Sequence, residues 1–145
     1  MSKSINHTWF FNNPPQDVWD YLTVPELMEQ WLMKNDFKPV VGHQFQFKAG
    51  AMPNYDFDGN IYCMVMEVVP FEKLAYSWKG GPGDGRINLD SVVTWTMQAK
   101  DGGTELQLVH SNFKELEHTM MYTMMNQGWL TNVNKIAGLI NEAKK

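Results

Sequence analysis

The chain is poor in cysteine: Cys63 stands alone among 145 residues. One thiol closes no internal disulfide, which excludes a disulfide-stapled secreted scaffold and makes a reducing cytoplasm the expected compartment. Long apolar runs are missing too. No stretch approaches the ~20 residues of a membrane helix, and residues 1–7 lack the apolar core of a signal peptide. No membrane contact is therefore expected, and the sequon Asn6-His7-Thr8 is read as a chance match. Positive charge is in deficit: 12 Lys and Arg face 16 Asp and Glu, a net charge of −4. With Lys34, Lys38 and Lys48 scattered along the chain, no basic face for nucleic acid is expected.

Signatures of chemistry are scarce as well. The glycine-rich stretch 79–85 lacks the Gly-Lys-Ser/Thr ending of a phosphate loop and leads into no helical pattern. His7, His43, His110 and His118 have no ligand-like spacing, and Cys63 has no companion, so no metal site is expected. No Gly-x-Ser-x-Gly or other nucleophile motif occurs. The expectation is a chain without a recognisable catalytic residue, metal or cofactor.

What is present is an ordinary globular balance, 43% apolar and 19% charged residues. That suits a single domain over 1–145 with a real core. The apolar set is unusually soft and bulky, with 11 Met and 6 Trp. Met fills irregular spaces, and Trp supplies large walls with one polar atom.

Periodicity gives the element order. Ile5, His7, Trp9 and Phe11 alternate with Asn6, Thr8 and Phe10 as in a strand. Asn13 is placed to cap a first short helix, with Pro14 at its first position and Gln16 reaching back. Thr23 and Glu26 repeat that signal for a second. Val18 and Leu22 share one face of the first helix; Leu27, Met28, Trp31 and Leu32 pair at helical spacing in the second. Val41-Gly42-His43 turns into the alternating strand 44–48, and residues 49–58 read as a loop. Residues 60–69 are apolar at nearly every position, which predicts a strand covered on both faces or one lying at a subunit contact. After a turn at Pro70, Leu74, Tyr76 and Trp78 alternate with Ala75, Ser77 and Lys79. A flexible connection is expected over 80–85. The strand 89–98 and the return strand from Gly103 flank Asp101-Gly102, a strong hairpin signal. From about Lys114 to Ala143 the pattern is helical, with Met121, Met125, Trp129, Val133, Ile136 and Ile140 in one stripe. Met120, Met121, Met124 and Met125 cover two sides of that helix, so half of them are expected to face away from the core.

Several motifs in this order resemble one family. They are Pro14-Pro15 with Val18-Trp19, Pro25-Glu26-Leu27 with Trp31, and Gly42 with Phe45 and Phe47. Glu67-Val68 with Pro70 follows, then Leu74, Tyr76 and Trp78. Gly103-Thr104 with His110-Ser111 and the pair Gly128-Trp129 complete the set. Together they are similar to the START-like superfamily, in the branch like the C-terminal domain of the activator of heat-shock protein 90 ATPase. The resemblance runs from about Ile5 to Ile140. One departure is His43, where the family often has a second glycine before the Phe-x-Phe strand. The resemblance implies an α+β helix-grip fold: a curved antiparallel sheet of about six or seven strands around a long C-terminal helix, two short helices after the first strand, and an internal cavity. It implies no single function, because related folds bind lipids, hormones or polyketides, act on chaperones, or catalyse.

Trp31, Phe45, Phe47, Tyr76, Trp78, Trp95, Met97, His110, Met121, Met125 and Trp129 fall on faces expected to point inward. They are the candidate ligand-binding set; taken singly, each also reads as ordinary core. His110 is either a cavity acid/base or ligand anchor, or a tie from strand end to last helix. The tie is preferred, because one titratable group without a paired carboxylate makes a poor catalytic set. Glu67 is either that carboxylate or, preferably, a partner for loop backbone. Cys63 reads as buried and inert. The expected function is binding of a small hydrophobic or aromatic molecule between sheet and helix. A chaperone-regulating role is the alternative the resemblance carries, although the chain reads as the isolated domain without the activator's additional N-terminal region. A cyclase- or hydrolase-type enzyme using His110 is the other alternative. A homodimer through residues 61–69 is also expected.

Overall fold

The computed structural model describes residues 2–48, 59–80 and 89–143. Strand β1 (Ser2–Phe11) is followed by α1 (Pro15–Thr23) and α2 (Pro25–Trp31). Six strands come next: β2 (Lys34–Asn35), β3 (Gln44–Lys48), β4 (Asn60–Val69), β5 (Lys73–Gly80), β6 (Leu89–Lys100) and β7 (Gly103–Lys114). The chain closes with α3 (Glu115–Ala143). The strands form one sheet in the order β1-β7-β6-β5-β4-β3-β2, every neighbour antiparallel. It curls into a half-barrel, and α3 packs against β1, β7, α1 and α2. At 1.5 Å per residue the 29-residue α3 is about 44 Å long, enough to cross the sheet. This is the helix-grip α+β architecture that the motif order implies. The loop expected over 49–58 lies outside the described residues, as does the connection expected over 80–85 apart from Gly80, which ends β5.

Local chemistry explains most boundaries. Asp101 and Gly102 both take positive φ, 50° and 80°. That is the two-residue turn whose twist matches its strands, so Lys100 pairs with Gly103 directly. The helix starts differ from the cap signals. Pro14, not Asn13, is the N-cap residue of α1, and Pro15 is its first residue; no side chain caps it. Likewise Val24, not Thr23, precedes α2. Pro15 and Pro25 hold the preceding residue extended while presetting their own φ for the helix, so each proline fixes the start without a cap. Asn13 is instead buried, its carbonyl accepting from Thr104 Oγ1 at 2.7 Å. The Thr23 hydroxyl donates back to the Trp19 carbonyl at 2.9 Å.

For β4, the first of its two expected readings, a strand covered on both faces, does not hold within the chain. Ile61, Cys63 and Val65 are buried, whereas Met64 and Met66 are 42% and 48% exposed. Within the chain only one face is covered, because the sheet is a single layer with α3 on one side. Burial of Cys63, with the Asp36 carboxylate as a lesser cause, pushes its thiol well above the usual range. The protonated thiol is a poor nucleophile, so Cys63 behaves as core.

Candidate functional site

The inward positions of β3, β5 and β6 bring most of the candidate set onto the concave face. Trp31, Phe45, Phe47, Tyr76, Trp78, Trp95, Met97, His110 and Trp129 are all buried. Met125 is half-buried and packs against the same cluster. The Met121 side chain lies outside the described residues. Met97 belongs to the same core cluster, toward the β4–β5 turn end of the sheet, where its backbone N–H bonds to the Glu72 carbonyl.

The rings form a continuous wall. Phe45 meets Phe47 at 5.4 Å between centroids, Phe47 meets Trp78 at 5.3 Å, and Trp78 meets Trp129 at 5.1 Å. Trp129 meets Trp95 at 5.4 Å, edge to face, and Trp95 meets Trp31 at 6.1 Å. These separations fall in the range of favourable aromatic pairs, so this part of the interior is packed by ring-to-ring contact.

Polar atoms on this face are few, and most are committed. The Trp31 indole N–H donates to the Tyr21 carbonyl at 2.7 Å, and the Trp95 indole N–H to the Tyr76 hydroxyl at 3.0 Å. Tyr76 is completely buried, which raises its phenol pKa despite that bond. His110 sits in a directional chain. The Trp129 indole, a pure donor, gives its proton to His110 Nδ1 at 3.0 Å. The Ser91 hydroxyl donates to the Trp78 carbonyl at 2.7 Å. With its one hydrogen so engaged, Ser91 Oγ accepts from His110 Nε2–H at 2.8 Å. These donors assign the neutral Nε2–H tautomer. Burial agrees, holding the imidazole pKa down at about 3. His110 thus ties the end of β7 to α3 with both ring nitrogens engaged.

One polar atom stands apart. Trp78 is 2% exposed, and its indole Nε1–H has no acceptor among the described residues. Trp78 lies opposite Ser91 in the β5–β6 pairing and touches Phe47, His110 and Trp129. It sits toward the end of the sheet where β3, β5 and β7 finish. An unpaired buried N–H costs about 1–3 kcal/mol.

Glu67 belongs to neither role foreseen for it. It is exposed and pairs with Lys73 at 3.1 Å. The β4 register shifts between Val65 and Glu67, which breaks the strict alternation that would have fixed its side. Among the described residues no group of three or more His, Cys, Asp or Glu is placed to hold a metal. Among them, too, no helix is long and apolar enough to cross a membrane.

The sequence model described as "Activator of Hsp90 ATPase homolog 1-like protein" matches residues 12–141. The chain belongs to that family. Protein MLL2253 from Mesorhizobium loti is 34% identical with a TM-score of 0.85, over 97% of this chain and 98% of that one. BH1534 from Bacillus halodurans is 26% identical with a TM-score of 0.73, over 95% and 96%. The Aha1 dimer from Colwellia psychrerythraea shares the fold at 17% identity, with a TM-score of 0.75 over 95% and 96%. No curated protein matches the sequence significantly.

Within this homolog 1-like family chain, two features of the site escaped sequence reasoning. Ser91 reads as one polar residue in an apolar strand; only its place opposite Trp78 makes it the acceptor for His110. The second is a groove of about 690 Å³ on the convex face. Gln44, Gln46, Tyr62, Met64, Met66 and Lys79 line it, with Asp90 3.9 Å from the Lys79 amine. Its signal was in the sequence, as the outward Met and Tyr of β4, but apolar residues on both faces hid which side was which.

Proposed function

We propose that this member of the homolog 1-like family binds a small hydrophobic or aromatic molecule on the concave face of its sheet, near Trp78 and His110. One observation carries the proposal: a buried indole donor left without an acceptor on an aromatic wall. Folding usually pairs such groups, and one left open inside an apolar surface suits a partner that arrives later. Family membership supports the same reading, and the state of His110 supports binding over turnover. Its imidazole is neutral, both nitrogens are engaged, and no buried carboxylate stands beside it among the described residues. Titration with an apolar fluorescent probe, and with extracted cell lipids, tests it. The expected result is saturable binding altered when Trp78 is replaced; no saturable binding, and no change in Trp78 or Met125 variants, would overturn it.

A second reading follows from the family's description. A chaperone-regulating domain would act through its surface, and the outer groove with its Met pair is the face available for that. Stimulation of Hsp90 ATPase activity by the purified chain, lost when Met64 and Met66 are replaced by Lys, is the expected outcome. No stimulation and no chaperone in a pull-down would remove it.

A further inference from the structure

Resting on the binding proposed above, we infer that the concave site is built for neutral ligands that offer a hydrogen-bond acceptor, such as a ketone, quinone or ester oxygen on an apolar frame. The Trp78 Nε1–H has no acceptor. Tyr76 stacks beside it at 6.5 Å between centroids, and its hydroxyl oxygen accepts from Trp95. The Trp78 N–H is therefore the buried side-chain donor left without a partner among the described residues.

The acceptors nearby are already taken. His110 Nδ1 receives the Trp129 proton, and Ser91 Oγ receives the His110 proton. The tautomer matters here: with the proton on Nε2 and the lone pair on Nδ1 occupied, the imidazole cannot accept from a ligand. A hydroxyl or amine donor entering this surface would find the imidazole lone pair already used and only a second lone pair on Ser91 Oγ beside it, against the loss of its own bond to water.

Charge narrows the class further. Among the described residues the buried polar ones are Asn13, Thr23, Ser91, Thr104 and His110, none of them charged, and no Lys or Arg lies in the core. A carboxylate or ammonium placed here would be desolvated without a counter-charge, at a cost no single N–H repays. A carbonyl oxygen carries lone pairs and no charge, which fits the Trp78 donor.

The test uses two probes differing in one oxygen: a dimethylaminonaphthalene bearing a propionyl group, and the same naphthalene bearing a propyl group. Fluorescence titration of the full chain should give a Kd for the ketone roughly five- to hundredfold below that of the alkyl probe, the range expected for satisfying one buried donor. Trp78→Phe keeps an aromatic ring and removes the N–H, so the ratio of the two affinities should fall to about one, whatever the shift in the affinity for the alkyl probe itself. Equal affinity of the two probes for the unaltered protein would overturn the inference and leave hydrophobic binding standing. Saturable binding of neither probe would overturn both. Should Trp78→Phe fail to fold, 15N spectra of the unaltered protein decide. The Trp78 indole proton should move downfield with the ketone and not with the alkyl probe, and a proton unmoved by the ketone would refute the contact.

Discussion

The same strands build two unlike surfaces. On β3, Phe45 and Phe47 are buried while Gln44 and Gln46 line the outer groove. On β5, Tyr76 and Trp78 are buried while Ser77 and Lys79 face out. The inner face is a wall of rings with nearly every polar atom paired. The outer face mixes Met, Tyr, Gln, Lys and Asp around open space. Because successive side chains alternate, one strand can carry a rigid interior and an adaptable exterior without either pattern disturbing the other. The inner surface is committed to stability except at one N–H, whereas the outer surface contributes little to folding and is free to change.

The largest test of that contrast is a pair of truncations. Trp95 is buried against Trp31 and Trp129 and bonded to Tyr76. Trp95→Ala should lower unfolding free energy by about 3–5 kcal/mol, whereas Met66→Ala should stay within roughly 0.5 kcal/mol. Urea denaturation of both variants measures the difference. Equal losses would mean that the outer groove is as much core as the inner wall.

A second test asks whether His110 belongs to the inner wall as a neutral strut. The unfolded chain takes up a proton near the ordinary histidine value of 6.5, while burial in the folded protein delays protonation to about pH 3. Between those values the unfolded state binds more protons, so stability rises with pH. The contribution is full above about pH 6.5 and shrinks as pH falls toward 3, by at most about 1.4 kcal/mol per unit. His110→Gln should lose stability at pH 7 through its broken chain of bonds, yet show a flatter decline between pH 6.5 and 4.5. Parallel curves for the two proteins would mean that His110 protonates in the fold at an ordinary pH.

Much of the architecture was legible because it rests on strong local signals. Asp101-Gly102 sets a hairpin register, and the alternation at Phe45/Phe47 and Tyr76/Trp78 sets which face is buried. The stripe from Trp129 to Ile140 sets the helix seam. Both helix starts lie one residue beyond the cap signals of Asn13 and Thr23, since Pro15 and Pro25 dominate over them. The site was legible only as a list. That His110 is neutral, and that the Trp78 indole proton is unpaired among the described residues, depends on which residues lie across the sheet. Ser91 is opposite Trp78, and Trp129 is 19 residues beyond His110 on another element. Glu67 was misplaced for a related reason, because the irregular pairing after Val65 leaves no alternation to extrapolate.

A third test concerns the seam where β1 and β7 close the half-barrel. A Cβ at Gly103 would collide with the Phe11 carbonyl oxygen and crowd the Phe10 ring. The oxygen is backbone, so the strand itself must shift. Gly103→Ala should cost about 1–3 kcal/mol by thermal or urea unfolding, although no core volume is removed. A neutral result would show that the β1 end is loosely held and that the inner wall stands without tight closure at this seam.

The smallest expected effect lies on the outer face and concerns association. Tyr62, Met64 and Met66 project from β4 into the groove, where Lys79 and Asp90 bring both signs of charge. A patch carrying both signs suits a twofold pairing, in which the same surface meets itself. We expect a second copy of the chain to cover it. Sedimentation equilibrium should then give a dimer mass that falls to the monomer in a Met64→Lys, Met66→Lys double variant. Folding stability per chain, measured at dilutions where both proteins are monomeric, should differ by no more than about 0.5 kcal/mol. A monomer mass for the unaltered protein at micromolar concentration would leave the Met pair facing solvent, and with it an outer surface whose apolar character serves neither the core nor self-association.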